Sequence, residues 1–279
     1  QLSDYGALMG HAEAAVAARE ARDYPPQARI FDAGGRRLDE VRFHPSYHQL
    51  LEAGIGAGYA ALPWEGRPGG HATHAAMVYL TSQVEPGICC PMTMTYAAVP
   101  ALRSDATLLR TWVPKLTSRV YDGAAKPLAR KPGATMGMAM TEKQGGSDVR
   151  ANATRAVAEG EMYRLRGHKW FCSAPMSDGF LMLAQAPGGL SCFLVPRWLD
   201  EGRNGIHLQR LKSKLGNHAN ASAEIELVDA YGHLLGEEGD GVRVILDMVH
   251  HTRLDTALAP AGLMRAALDH AWHWARHRQ

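Results

Sequence analysis

No apolar run in this 279-residue chain reaches the ~20 residues needed to cross a bilayer, and no secretory signal pattern opens it. Neither a membrane partner nor export is therefore indicated. Its four cysteines, two of them the neighbours Cys89 and Cys90, supply no disulfide framework, which fits a reducing cytoplasm. Adjacent side chains diverge, so Cys89 and Cys90 read as core residues and not as a redox or zinc pair. Neither sign of charge is in real excess. A formal charge of +2 demands neither nucleic acid nor an anionic surface as a partner. Internal repeats, low-complexity segments, a hydrolase elbow, a Walker loop and a zinc-protease motif are all missing. The "GIGAG" of residues 54–58 lies in helical surroundings with no strand before it, so it reads as a helix junction and not a dinucleotide turn. Fourteen histidines include the pairs His44/His48, His71/His74 and His250/His251, but none has a carboxylate or thiolate completing a ligand set. No metal site is expected, and these histidines read as surface or capping residues.

What is present is a 46% hydrophobic composition, enough to bury a real core in a soluble globular protein of two or so domains. Apolar residues recur at helical spacing from "FHPSYHQLLEAGIGAGYAALPW" to "TMTYAAVPALR". After "KPGATMGMAM" the texture becomes short β-like runs separated by tight turns such as Ala-Glu-Gly and Pro-Gly-Gly. Past "LLGEEGDG" the helical period returns, with Pro260 as a candidate kink. The pattern predicts an α+β chain: a helical domain over 1–134, a central antiparallel β domain over 135–236, and the first part of a second helical domain over 237–279. Gln1 in place of an initiator Met, and a helical pattern still running uncapped at "HWARHRQ", suggest a piece of a longer protein.

Two stretches carry chemistry. In "MTEKQGGSDV", residues 140–149, Gly145 and Gly146 let the backbone approach a flat or phosphorylated ligand, while Thr141 and Ser147 offer hydroxyl donors. About twenty residues on, "GHKWFCSAPMSD" places Trp170 and Phe171 to cover a conjugated ring, with Ser173 to donate to it. Alone, the first could be an ordinary loop with a Ser-Asp cap and the second a core strand.

Together, in this order and between helical segments, they resemble the acyl-CoA dehydrogenase flavoprotein family. That family's first motif reads Thr-Glu-Pro, one variable residue, then Ala/Gly-Gly-Ser-Asp; its second reads Lys-variable-Trp-Ile-Thr/Ser. The likeness extends to "KLGNHANASAEIELVDAYGHLLGEEGDGV" and "HTRLDTALAPAGLMRAAL", covering roughly residues 38–279. Details such as "RRLDEVRFHPSYH" and "CPMTMTYAA" are similar to its branch induced by DNA alkylation. The resemblance implies an acyl-CoA dehydrogenase-like fold with a central β-barrel, tightly bound FAD, a homotetramer, and oxidation of an acyl-CoA or related small molecule. It also implies DNA contact through a C-terminal region absent from this chain. The alternative function it leaves open is a DNA-associated protective protein whose flavin is structural or detoxifying.

Carried over, the resemblance assigns Met140, Thr141, Gly146, Ser147, Trp170, Phe171, Cys172 and Ser173 to FAD, Arg278 to the FAD of a neighbouring subunit, and Arg253 to the acyl-CoA. Lys143, Gln144 and Cys172 depart from the pattern, as does His250, at a position usually held by Asp. The family's base is a Glu. In its helical version that residue directly precedes the Arg matching Arg253, where this chain has Thr252. The base is therefore expected beyond Gln279, with Asp255 the one nearby carboxylate kept as a candidate. The run Arg210, Lys212, Lys214 reads as a solvated strand edge unless it continues into a larger basic surface.

Overall fold

The computed structural model describes residues 2–278; Gln1 and Gln279 lie outside the described residues. Helices α1 (Leu2–Met9) and α2 (Ala12–Asp23) lead into a hairpin, β1 (Gln27–Phe31) and β2 (Arg37–Arg42). Four helices follow: α3 (Pro45–Gly56), α4 (Gly70–Val84), α5 (Cys89–Ala101) and α6 (Ala106–Leu116). The helical texture expected of the first half holds apart from the hairpin. There the Asp32 carboxylate accepts the Gly34 and Arg36 N–H groups, a side-chain-closed turn that periodicity does not register. His44 caps α3 as a capping histidine should, accepting from the Ser46 N–H ahead of Pro45 in the first turn. The "GIGAG" stretch ends α3 and turns at Gly58, whose φ of +93° suits glycine.

The β region is a single closed sheet of seven strands: β3 (Met136–Ala139), β4 (Arg155–Glu159), β5 (Met162–Ser173), β6 (Gly179–Ala186) and β7 (Gly189–Pro196), then, after a short hairpin of β8 (Trp198–Leu199) and β9 (Gly202–Arg203), β10 (Ile206–Leu211) and β11 (Ser222–Leu235). The order is β10-β11-β7-β6-β3-β5-β4, and the pairings β11–β5 and β6–β4 close it into a barrel. Most ladders are antiparallel, as expected, but β6 runs parallel to β3 and β4. Strand alternation sorts the two cores: Phe180, Met182 and Ala184 fill the barrel, while Leu181 and Leu183 join the helical core through α5, α6 and α7.

Helix α7 (Gly241–His277) packs on α4 and α5 with its first half, burying Val244, Ile245, Met248 and Val249. Gly262 lets it pass against the backbone of Tyr79 in α4. The helix continues through Pro260. Its second half leaves Leu263, Met264, Leu268 and Trp272 exposed. Among the described residues no helix is long and apolar enough to cross a membrane.

Candidate functional site

The two motifs meet where β3 leaves the sheet beside β5. Met138 pairs with Ser173, and three residues further on the Trp170 N–H donates to the Thr141 carbonyl at 2.8 Å. The loop after Thr141 folds back on itself: Gly145 N–H donates to Glu142 O, and Glu142 N–H to Gly145 O. Gly145 takes φ +139°, which favours glycine, and space beyond it is open. A Cβ on Gly146 would lie 2.6 Å from Thr141 Oγ1, so the second glycine brings the backbone directly against that hydroxyl.

A buried ion pair fixes this junction. Lys169 Nζ lies 2.7 Å from Glu142 Oε1, with Glu142 2% and Lys169 0% exposed. The carboxylate also accepts from Thr154 Oγ1, Ala153 N–H and Gln144 Nε2, and the ammonium donates to Leu183 O. Burial works to raise the Glu142 pKa, but Lys169 and these donors outweigh it and hold the carboxyl at about 2. Burial likewise lowers the Lys169 pKa, against the pull of Glu142. Sequence reasoning did not join Glu142 to Lys169. The signal was available, since both residues belong to the motif pair. The Lys143 N–H donates to His168 Nε2 at 3.2 Å, a bond unavailable to the proline usual at that position.

A bulge sets the aromatic pair. Ala223 opposes Cys172 and Ile225 opposes Lys169, so two steps on β11 match three on β5. Lys169 and Cys172 both turn inward, and Trp170 and Phe171 stand outside between them; Phe171 is 43% exposed. Lys212 Nζ lies 3.2 Å from the Trp170 ring centroid and 4.6 Å from that of Phe171.

Thr141 and Ser173 are half-buried, Ser147 is exposed, and none of the three hydroxyls has a hydrogen-bond partner among the described residues. Unpaired hydroxyls beside a glycine-lined backbone and the partly exposed Phe171 ring form a donor set that fits a flavin and its phosphates. Met140 packs its side chain on the helical core, and its carbonyl accepts from Asn152. The Cys172 side chain faces inward. Its thiol is fully buried in the barrel, where burial drives its pKa far up, so only its main chain can face the outer site. Arg253 and Arg278 are exposed on α7 and at its end, with no hydrogen bond or ion pair to the 140–149 loop among the described residues.

Asp255 is not a free carboxylate. It is buried, 2.9 Å from His74 Nε2 and 2.6 Å from Thr93 Oγ1, while His74 Nδ1 meets Tyr59 O at 2.8 Å. His74 is therefore a core histidine and not the surface residue expected. The basic run is also spent locally: Arg210 and Lys212 pair with Glu224, and Lys214 donates to Asn220 O. Hydrogen bonds from Arg210 and then Lys212 hold the Glu224 carboxyl at about 2.

Comparisons with known proteins follow the same division of the chain. Residues 1–123 match the family "Adaptive response protein AidB N-terminal domain", 137–230 the acyl-CoA dehydrogenase middle domain, and 239–279 the acyl-CoA dehydrogenase C-terminal domain. The chain is 49% identical over 282 residues to AidB of Escherichia coli (strain K12), covering 99% of this chain and 52% of that protein. It is 34% identical to acyl-CoA dehydrogenase family member 11 of Caenorhabditis elegans, covering 93% of this chain and 44% of that protein. The solved structure of ACDH-11 from Caenorhabditis elegans in complex with C11-CoA superposes with a TM-score of 0.82 at 33% identity, over 91% of this chain and 45% of that one. The chain thus spans about half the length of the curated relatives it matches. With the barrel, the flanking helices and the paired motifs all in place, the chain belongs to the acyl-CoA dehydrogenase family, as an AidB-like member.

Proposed function

We propose that this chain is the flavin-holding part of an FAD-dependent oxidoreductase acting on the CH–CH bond of an acyl-CoA or a related small molecule. Members of this family are FAD-dependent. The observation that supports the reading is the Glu142–Lys169 junction, which ties the loop carrying Thr141, Gly146 and Ser147 to the strand carrying Trp170, Phe171 and Ser173. Thr141 and Ser173 would donate to ring carbonyls, and Ser147 with the Gly145-Gly146 backbone would take the phosphates. When bound, FAD supplies the oxidant that accepts hydride from the substrate. The protein's share is to position, to polarise and to remove a proton beside the thioester. Arg253 is assigned to the acyl-CoA, Arg278 to the flavin of a neighbouring subunit, and the base to residues after Gln279.

The same proposal takes 1–134, 135–236 and 237–279 as the domains and a cytoplasmic homotetramer as the working form. The exposed apolar residues on the second half of α7 support further helical packing there. A tie to the DNA alkylation response rests on the AidB relationship, with DNA contact assigned outside these residues because Arg210, Lys212 and Lys214 are already engaged. The test is direct: the full-length protein purifies yellow and releases FAD on denaturation. Colourless protein that takes up no added FAD would overturn the proposal.

A further inference from the structure

Beyond the end of β5, between the β1–β2 hairpin, α3 and residues 121–125, lies a cavity of about 300 Å³. None of the residues assigned to FAD lines it. Its volume is at the lower end of the range for ligand pockets. The rings of Phe43, Tyr47 and Tyr121 supply flat walls, with Phe43 and Tyr47 stacked 4.1 Å apart. The polar groups inside carry no charge. His48 Nδ1 is taken by Tyr121 OH at 2.7 Å, and burial lowers its imidazole pKa, keeping the ring neutral. Ser177 is 3% exposed, and its hydroxyl has no partner although buried polar atoms normally do. Tyr47 OH is likewise without a partner among the described residues.

The mouth is charged instead. Arg29 stands opposite Glu40 across the hairpin and Arg42 two residues further along β2; both arginines are exposed and form no ion pair among the described residues. Asp122, the other acid, is neutralised by Lys126 at 2.8 Å. The wall is held rigidly. Lys131 Nζ donates to the carbonyls of Asp122 and Ala124 and to Asp178 Oδ1, tying the 121–125 segment to the barrel. Ala174, also in the lining, takes φ +49°; the other non-glycine residues with positive φ among those described are Asp or Asn, which tolerate it. Backbone strain of this kind gathers at ligand sites.

The geometry points to a second binding site, separate from the flavin face, for a small planar aromatic carboxylate: ring between Phe43, Tyr47 and Tyr121, a hydroxyl or similar group on Ser177, carboxylate at Arg29 and Arg42. The probe is 4-hydroxybenzoate, titrated calorimetrically into the full-length protein. One equivalent binds saturably. Arg42→Glu, an exposed change, weakens binding at least tenfold, and so does replacing the probe by 4-methylphenol, which lacks the carboxylate. Ala125→Trp, which fills the cavity, abolishes binding with the melting temperature unchanged. Absence of saturable binding, or undiminished binding in both variants, overturns the assignment. So does binding that survives Ala125→Trp but is lost in Thr141→Val with a shift of the flavin spectrum, since that places the acid on the flavin face. A full-length structure with another segment of the chain filling the cavity overturns it as well.

Discussion

The Lys169 ammonium meets the Glu142 carboxylate at 2.7 Å inside the protein, and this contact ties the glycine loop to the aromatic strand. Removing one partner leaves the other buried and uncompensated. Glu142→Gln or Lys169→Met should therefore cost about 3 to 5 kcal/mol, measured by denaturant unfolding of the full-length protein. The double variant should cost less than the two losses combined. Strict additivity would mean that the pair is not coupled.

The same pair sets an acid limb of stability. Glu142 is held at about 2, below the ordinary 4.5, so the folded state keeps it ionised where the unfolded chain would take a proton. Its contribution is complete above about pH 4.5 and fades as pH falls toward 2. The shift corresponds to about 3 kcal/mol over that window. Unfolding free energies measured from pH 6 to 2 should fall steeply in the parent and more gently in Glu142→Gln. Parallel curves would assign the acid limb to other carboxylates.

Thr141→Val and Ser147→Ala should each weaken FAD retention by about 1 to 3 kcal/mol, as when a hydrogen-bonding group of a buried ligand is left unpaired. Flavin fluorescence on equilibrium dilution reads the loss. Unchanged retention in both would misplace the cradle.

Gly146→Ala tests the loop from its other side. The added methyl would sit 2.6 Å from Thr141 Oγ1 and must push that hydroxyl away. FAD retention should fall to about the level of Thr141→Val, and combining the two changes should add little, because both act through one hydroxyl. Full additivity would show that Gly146 acts elsewhere.

How far the sequence could be read depended on the range of the interactions. The short β-like runs after Met140 and the helical periods on either side were enough for a β domain between helices, because both are local patterns, whereas the closed barrel came only with the family resemblance. Thr141 and Trp170 were legible as neighbours in function, though not the hydrogen bond that joins them. The outward turn of both Trp170 and Phe171 was hidden, since it comes from a bulge defined only against β11. The inward turn of the Cys172 thiol was hidden for the same reason: which way a strand residue points is set by the partner's register. The β1–β2 hairpin had a local cue in Asp-Ala-Gly-Gly, overridden by the helical surroundings. Asp255 and His74 are 181 residues apart, and no spacing rule joins them.

That last contact decides what Asp255 can do. A general base must reach the substrate proton, but this carboxylate is 3% exposed and already accepts from His74 Nε2 and Thr93 Oγ1. Its position suits a pin between α7, α4 and α5. In the full-length protein, Asp255→Asn should lower stability by about 3 kcal/mol or more, because His74 loses the charge it faces. Thr93→Val should lower it by about 1 kcal/mol through the loss of one hydrogen bond. Turnover per bound flavin, followed with an artificial electron acceptor and a series of acyl-CoA thioesters, should stay at the parent level in both variants, and the pH profile of kcat should keep its basic-group limb. A fall of several orders of magnitude in Asp255→Asn, with FAD retained and that limb gone, would make Asp255 the base and place the proton-removing step within these 279 residues.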